Sequence, residues 1–441
     1  MKSNYELRVT DYGLSVYAMK ETKIMDKYKP IRRTPPLKIL RNLAIVVAAI
    51  MAFRLISPLV TNAIDERRAR AEILYDFDFI MDILVDNFPY FPMIYRRTGI
   101  DMPAQIPAMR ARLADRSYPV KTVDEFEQFL QDFFRQARSI GHLAVTRGYE
   151  SMRPISSEEN LHTEIIEEGR IAYLRVSHMH VRGSRSGHSV MDSCRAIVNP
   201  FFQEIGDFEH LVLDIRGNSG GIGGYFQQLI MEPLFRGSTH EESFTYVHHF
   251  IRSGEYNESR TEELRWRASR SQWQQGLGDI TEWVEGDPHS IHYALGFKPF
   301  PEYVLSDLLE MDFHFVQRHS HRVTSPDRLS PFDGKIWLLV DEGVASAAQL
   351  AALLVRDTGF ATVVGNTTRG VASFGFFVTL PNTGIMIRYD PTYTLDRYGR
   401  PLEYGILPHY FNREGMDALE TVLAMIAEMD EITNYELLTT D

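Results

Sequence analysis

KIWLLVDEGVASAAQLAALLVRDTGFATVVG, residues 335–365, runs from an apolar β-rich segment through a turn holding one serine, Ser346, into an Ala/Leu-rich segment that predicts a helix. Gly359 supplies a left-handed residue just past the last helical turn, and ATVVG then predicts a second strand. Strand, helix and strand in direct succession predict an α/β unit.

Working outward, the segments RIAYLRV and HLVLDIR add β-rich runs, and FGFFVTL-PNTG-IMIRY reads as a hairpin whose turn holds Asn382 and Gly384. MDALETVLAMIAEM predicts a helix near the end of the chain. Upstream, ILYDFDFIMDIL puts Ile73, Phe77, Ile80 and Leu84 on one helical face, and TVDEFEQFLQDFFRQA does the same with Phe126, Phe129, Leu130, Phe133 and Ala137. Thr122, followed three residues later by Glu125, predicts a capping box at the start of the second helix. Between about 235 and 331 the periodicity breaks down, and polar and aromatic residues take over, among them Trp266, Trp273 and Trp283. That stretch reads as an insertion, a candidate cover for a site.

The expected organisation is a basic arm over 1–36, an apolar segment over 37–64, a small helical domain over 65–150 and an α/β domain over 151–441, built on a mixed β-sheet with helices. With 441 residues, 44% hydrophobic and 24% charged, the chain has room for two or three folding units. A net charge of -12, with no basic cluster beyond the N-terminal arm, argues against a nucleic-acid partner. The one cysteine, Cys194, excludes an intrachain disulfide and a thiolate metal cluster, and reads as a packing residue.

Leu37–Ile64 is long enough to cross a bilayer, although Arg54 interrupts it and the unbroken apolar run is Leu43–Phe53. Before it, Lys20, Lys23, Lys27, Lys29, Arg32, Arg33, Lys38 and Arg41 outnumber Glu21 and Asp26. The positive-inside rule then predicts a cytoplasmic arm, a single-pass anchor in the cell membrane, and everything after Ile64 on the extracytoplasmic side. The leader ahead of Leu43 is too long for a cleaved signal peptide. A buried core helix is the alternative.

A serine where a strand turns into a helix sits at the helix's positive end, where a backbone N–H such as that of Ala347 can stabilise an oxyanion. In Leu211–Gly224, LVLDIRGNSGGIGG, a strand runs into a Gly-rich bend whose backbone can approach a ligand closely, a second source of donors. Read locally, the structural reading is favoured: such a serine is usually a helix cap and such a bend usually a turn.

Taken together, LVLDIRGNSGG, the 337–370 stretch and GRPLEYGILPHYF resemble, in order and spacing, the catalytic domain of the tail-specific, or C-terminal processing, peptidases with their crotonase-like core. The likeness covers roughly Gly169–Phe411 apart from the insertion, and no stretch resembles a PDZ module. The resemblance implies a serine-type endopeptidase acting on extended polypeptide without a cofactor, with Ser346 as nucleophile and Gly220 as an oxyanion donor. Val371 stands where the processing enzymes carry their lysine base, and no lysine follows Lys335. The tricorn-core branch, with a histidine base and a supporting glutamate, fits the chain better. RSIGHLAV places His142 after the capped helix, resembling the G-H or S-H turn of that branch. Imidazole suits the role because it exchanges protons near neutrality. Glu403, in PLEYGILP, resembles the acid before the family's G-[IV]-x-P motif, but stands two residues before Gly405 instead of the usual three, and His409 replaces the common aspartate. A solvated loop carboxylate is the alternative for Glu403.

SHMHV places His178 and His180 on one face of an expected strand, and His248, His249, His319 and His321 follow, yet no H-E-x-x-H spacing fixes a geometry. The expectation is therefore Ser346, His142 and Glu403 as catalytic residues, Gly220 and Ala347 as oxyanion donors, and no metal or cofactor. A noncatalytic peptide- or ligand-binding protein on the same fold is the rival, because fold alone does not fix chemistry.

Overall fold

The computed structural model describes residues 57–146, 155–180, 188–235, 244–260, 281–284, 299–310, 313–322, 330–371 and 375–439. Most of the apolar segment read as an anchor, 37–56, lies outside them, as do Trp266 and Trp273. Among the described residues no helix is long and apolar enough to cross a membrane. The chain divides into two compact units, the first taking residues 1–148, 252–267 and 375–391 and the second the remainder.

In the first unit, helices span Ser57–Asn87, Phe91–Thr98, Met102–Ala114 and Val123–Arg135. Ile73, Phe77, Ile80 and Leu84 are all buried, as their spacing on one face requires, and Phe126, Leu130, Phe133 and Ala137 are buried in the same way, with Phe129 of that face only partly buried. The capping box is present: Glu125 N–H donates to Thr122 Oγ1 at 3.2 Å, and the Glu125 carboxylate accepts from Thr122 N–H at 2.9 Å. A three-stranded antiparallel sheet completes the unit, with Met386–Tyr389 between Ala144–Thr146 and Phe376–Thr379. Two of these strands form the hairpin expected from the sequence. Buried Asp76 accepts hydrogen bonds from the backbone and side chains of Asn382 and Thr383, tying the hairpin's connection to the first helix. A division of the chain at 150 follows sequence order, whereas this hairpin joins the helices from far downstream.

The second unit is built on a six-stranded mixed sheet in the order Tyr410–Phe411, Thr362–Gly365, Lys335–Val340, His210–Asp214, Ile171–Val176, Leu161–Glu167. Its strands are parallel except for Leu161–Glu167 at one edge. Parallel strands covered on both faces read as unbroken apolar runs, which is why LVL and IWLLV stood out. Leu211, Leu213, Leu338 and Val340 pack with Val198 and Phe202 of the helix His188–Glu204 and with Ala352 and Val355 of the helix Ala347–Asp357. Their alternates Val212, Trp337 and Leu339 pack instead with Val422 and Ile426 of the helix Ala418–Thr439.

The stretch read as an insertion contributes ordered strands. Phe244–Arg252, Thr281–Val284 and Phe313–Arg322 join Thr392–Leu395 in a second, four-stranded sheet. Thr245, Val247, His248, His249, Phe250 and Ile251 are all buried, so this strand carries polar residues inward on both faces and shows no alternation for a periodicity test to detect.

Candidate active site

Ser346 follows the strand Lys335–Val340 by a short turn and opens the helix Ala347–Asp357. Its backbone lies at φ 55° and ψ -126°, a region that disfavours any side chain, and its hydroxyl makes no cap to the helix. The helix-cap reading is therefore excluded. Holding a non-glycine residue in such a conformation costs about 1–3 kcal/mol and persists only where the surroundings over-determine it, a pattern concentrated at active sites. The helix's own backbone bonds begin at Ala348 and Gln349 N–H, both to Ala345 O, which leaves the Ala347 N–H at the positive end of the helix.

The Gly-rich bend supplies one wall. A Cβ on Gly220 would stand 2.7 Å from Ser346 Cβ and 2.8 Å from Ala347 N, so only glycine lets the bend come this close to the serine. Asn218, fully buried, pins the bend: its Nδ2 donates to Val176 O at 2.9 Å, and its backbone O accepts from Ala345 N–H at 3.1 Å. Its Oδ1 accepts the Gly220 N–H at 2.9 Å, so this expected oxyanion donor is already hydrogen-bonded.

A second wall is the 368–371 turn. Arg369 N–H donates to Val344 O at 2.8 Å, and Ser346 N–H reaches Gly370 O at 3.5 Å. Val371, at the place of the family lysine, is buried at φ 64°, and its hydrocarbon side chain accepts no proton. Glu403 sits in the short turn Leu402–Tyr404 and is 1% exposed, which overturns the solvated-carboxylate reading. A Cβ on Gly370 would lie 2.6 Å from Glu403 O, so the two turns are in backbone contact. His409 is structural: its Nδ1 accepts from Val363 N–H at 2.9 Å. Cys194 is buried 3.1 Å from the Tyr225 hydroxyl, in keeping with packing.

His178 and His180 lie beyond the strand Ile171–Val176 and not within it, with Met179 bridged to Gly221. Their ring centroids are 5.3 Å apart. Burial, and then the neighbouring His180, pushes the His178 imidazole below its ordinary range.

In the first unit, His142 ends a turn in which Arg138, Ser139, Gly141 and His142 all have positive φ. A Cβ on Gly141 would collide at 2.5 Å with the rings of Phe88 and Tyr90, so glycine is required for the turn to pack. Both oxygens of Asp390 lie against His142 Nδ1, at 2.7 and 2.8 Å. The Asp390 side chain is 0% exposed and that of His142 11%. Asp390 N–H also donates to Gly141 O at 2.8 Å, so the carboxylate and the imidazole are fixed by backbone as well. A carboxylate on Nδ1 holds the proton there and leaves Nε2 as the basic nitrogen.

Asp390 was not singled out from sequence. It closes IMIRYD one residue beyond the expected hairpin, and its partner is 248 positions away, so nothing local marks it. The turn glycines and the serine, by contrast, stand in recognisable motifs.

The sequence profile of peptidase family S41 matches residues 170–411, more than half of the chain. The chain belongs to peptidase family S41. This S41 domain spans the same stretch that the sequence motifs marked, and the expected resemblance is borne out. A protein of Chlamydia pneumoniae, CPj1016/CpB1054, is 28% identical over 121 residues, which cover 25% of this chain and 18% of that protein. Mature CPAF complexed with lactacystin aligns over 85% of this chain and 100% of its own, with 13% identity and a TM-score of 0.52. Another crystal structure of mature CPAF aligns over 78% and 93%, also at 13% identity and 0.52. At that identity the likeness shows the fold, that of an S41 serine peptidase.

Proposed function

We propose that this S41 chain is a serine endopeptidase of extended polypeptides, with Ser346 as nucleophile and His142 as its base. The observation that carries the reading is the strained Ser346 turn, whose hydroxyl is withheld from capping the helix and set beside an Ala347 N–H that is unused among the described residues. The His142–Asp390 pair supports the choice of base, and Val371 argues against a lysine.

In this reading His142 Nε2 takes the proton of Ser346 Oγ as the oxygen bonds to the scissile carbonyl carbon. The electron pair moves to the carbonyl oxygen, which receives the Ala347 N–H and, once it leaves Asn218, the Gly220 N–H. The imidazolium, balanced by Asp390, returns the proton to the departing amine; water then repeats the sequence on the acyl-enzyme. Glu403 supports the site without touching the reacting atoms. In this reading the basic arm stays in the cytoplasm, Leu37–Ile64 anchors the chain in the cell membrane, and everything after Ile64 lies outside.

His142→Ala should lose as much turnover as Ser346→Ala, on the order of a million-fold, because residues acting as one unit are not additive. Glu403→Gln should cost less, and substituting Lys298 or Lys335 should change little. Near-wild-type hydrolysis by His142→Ala would exclude this base; a folded wild type without hydrolysis favours the binding protein on the same fold.

A further inference from the structure

Gln349, one turn along the helix from Ser346, is fully buried, and its amide is spent on two other segments. Its Oε1 accepts from Gly370 N–H and from Thr368 Oγ1, each at 2.7 Å. Its Nε2 donates to Leu402 O at 2.7 Å. Thr368 Oγ1 in turn accepts from Ile406 N–H at 2.7 Å, so the chain of bonds closes on the far side of the Glu403 turn. One side chain thus joins the start of the nucleophile's helix, the turn whose Gly370 carbonyl faces Ser346 N–H, and the turn that carries Glu403.

We propose that Gln349 is a positioning residue for catalysis: its carboxamide holds the 368–371 and 402–404 turns against the Ser346 turn and so keeps the serine in its strained, reactive conformation. This rests on the reading of Ser346 as nucleophile. A hydrocarbon of the same shape cannot do it, because it leaves Gly370 N–H buried without a partner and takes from Leu402 O one of its two donors, the other being Gly405 N–H. A carboxylate keeps the two acceptor bonds but turns a negative oxygen toward the Leu402 carbonyl; protonation restores a donor there. The charged side chains on the packed turns are Glu403 and Arg369, the latter donating through Nε to Glu342 O at 3.2 Å.

The test measures the rate at which a fluorophosphonate labels Ser346 in the full chain, as a ratio of variant to wild type from pH 8 to pH 5.5, alongside thermal melting. Taking the ratio cancels the titration of the base shared by both proteins. Gln349→Glu is expected to label about 10²-fold more slowly than wild type at pH 8 and to recover toward it as pH falls. Gln349→Met is expected to be slow at every pH, and Thr368→Val, which removes one hydroxyl of the network, to fall between. If Gln349→Met fails to fold, the pH dependence of the Gln349→Glu ratio decides alone. A ratio near one at pH 8, or one that is low but independent of pH, overturns the positioning role. A folded wild type that is not labelled overturns the nucleophile itself and this inference with it.

Discussion

Replacing Asp390 by Asn removes one charge and almost no volume from a carboxylate that is 0% exposed. The Nδ1–oxygen distance is 2.7 Å. With an effective dielectric of about 20, a full charge pair at that separation is worth about 6 kcal/mol, which as a transition-state effect corresponds to about 10⁴ in rate. In the proposed mechanism His142 gains its charge by taking the serine proton, so the expected loss falls on kcat and not on substrate affinity. The amide oxygen can still accept from Nδ1–H, which keeps the ring in place in some of the molecules and lowers the expected loss to about 10³- to 10⁴-fold; an asparagine at the equivalent place in chymotrypsin-type enzymes costs about 10⁴. Steady-state hydrolysis of a peptide substrate, with melting curves to confirm an intact fold, measures it. A loss of less than about tenfold, or a loss expressed wholly in KM, would refute the role given to Asp390.

Ser346→Gly should abolish hydrolysis while raising the melting temperature by about 2–4 °C, since relief of about 1 kcal/mol of backbone strain acts on a unit of this size; an unchanged or lower melting point would mean the turn is unstrained. Burial pushes the imidazoles of His178, His210 and His409 below their ordinary range. The unfolded chain therefore binds protons at these sites before the folded one does, so stability should be full above about pH 7 and fall as pH drops through about 6.5, with His409→Asn, which keeps an acceptor for Val363 N–H, flattening part of the slope. A melting temperature that is constant from pH 7 to 5 would contradict this. The full chain should sediment with membranes, whereas a chain beginning at Asp65 should stay in solution; sedimentation of neither removes the anchor.

The parts of the molecule that follow one-dimensional rules were legible. The parallel strands announced themselves as apolar runs, the helix at 123–135 by its capping box, and the serine and glycine bends by their motifs. The parts that depend on partners distant in sequence were not. Asp390 is one acid among many until Met386–Tyr389 pairs with Ala144–Thr146 and brings it to His142. Gln349 reads as a helix residue until the turns at 370 and 402 close on its amide. The strand Phe244–Arg252 was lost because burial on both faces erases the alternation that marks a half-exposed strand. The strain itself was invisible too: no sequence pattern requires serine, histidine and valine at positive φ at 346, 142 and 371.

The proposed mechanism requires that Ser346 be an activated nucleophile and that His142 activate it. Labelling of the full-length chain with a fluorophosphonate probe, followed by mass spectrometry of the modified peptide, tests this most directly. Covalent modification is expected at Ser346 in the wild type, with none in Ser346→Ala and a collapse of the labelling rate in His142→Ala. Labelling at another residue, or an undiminished rate in His142→Ala, would contradict it.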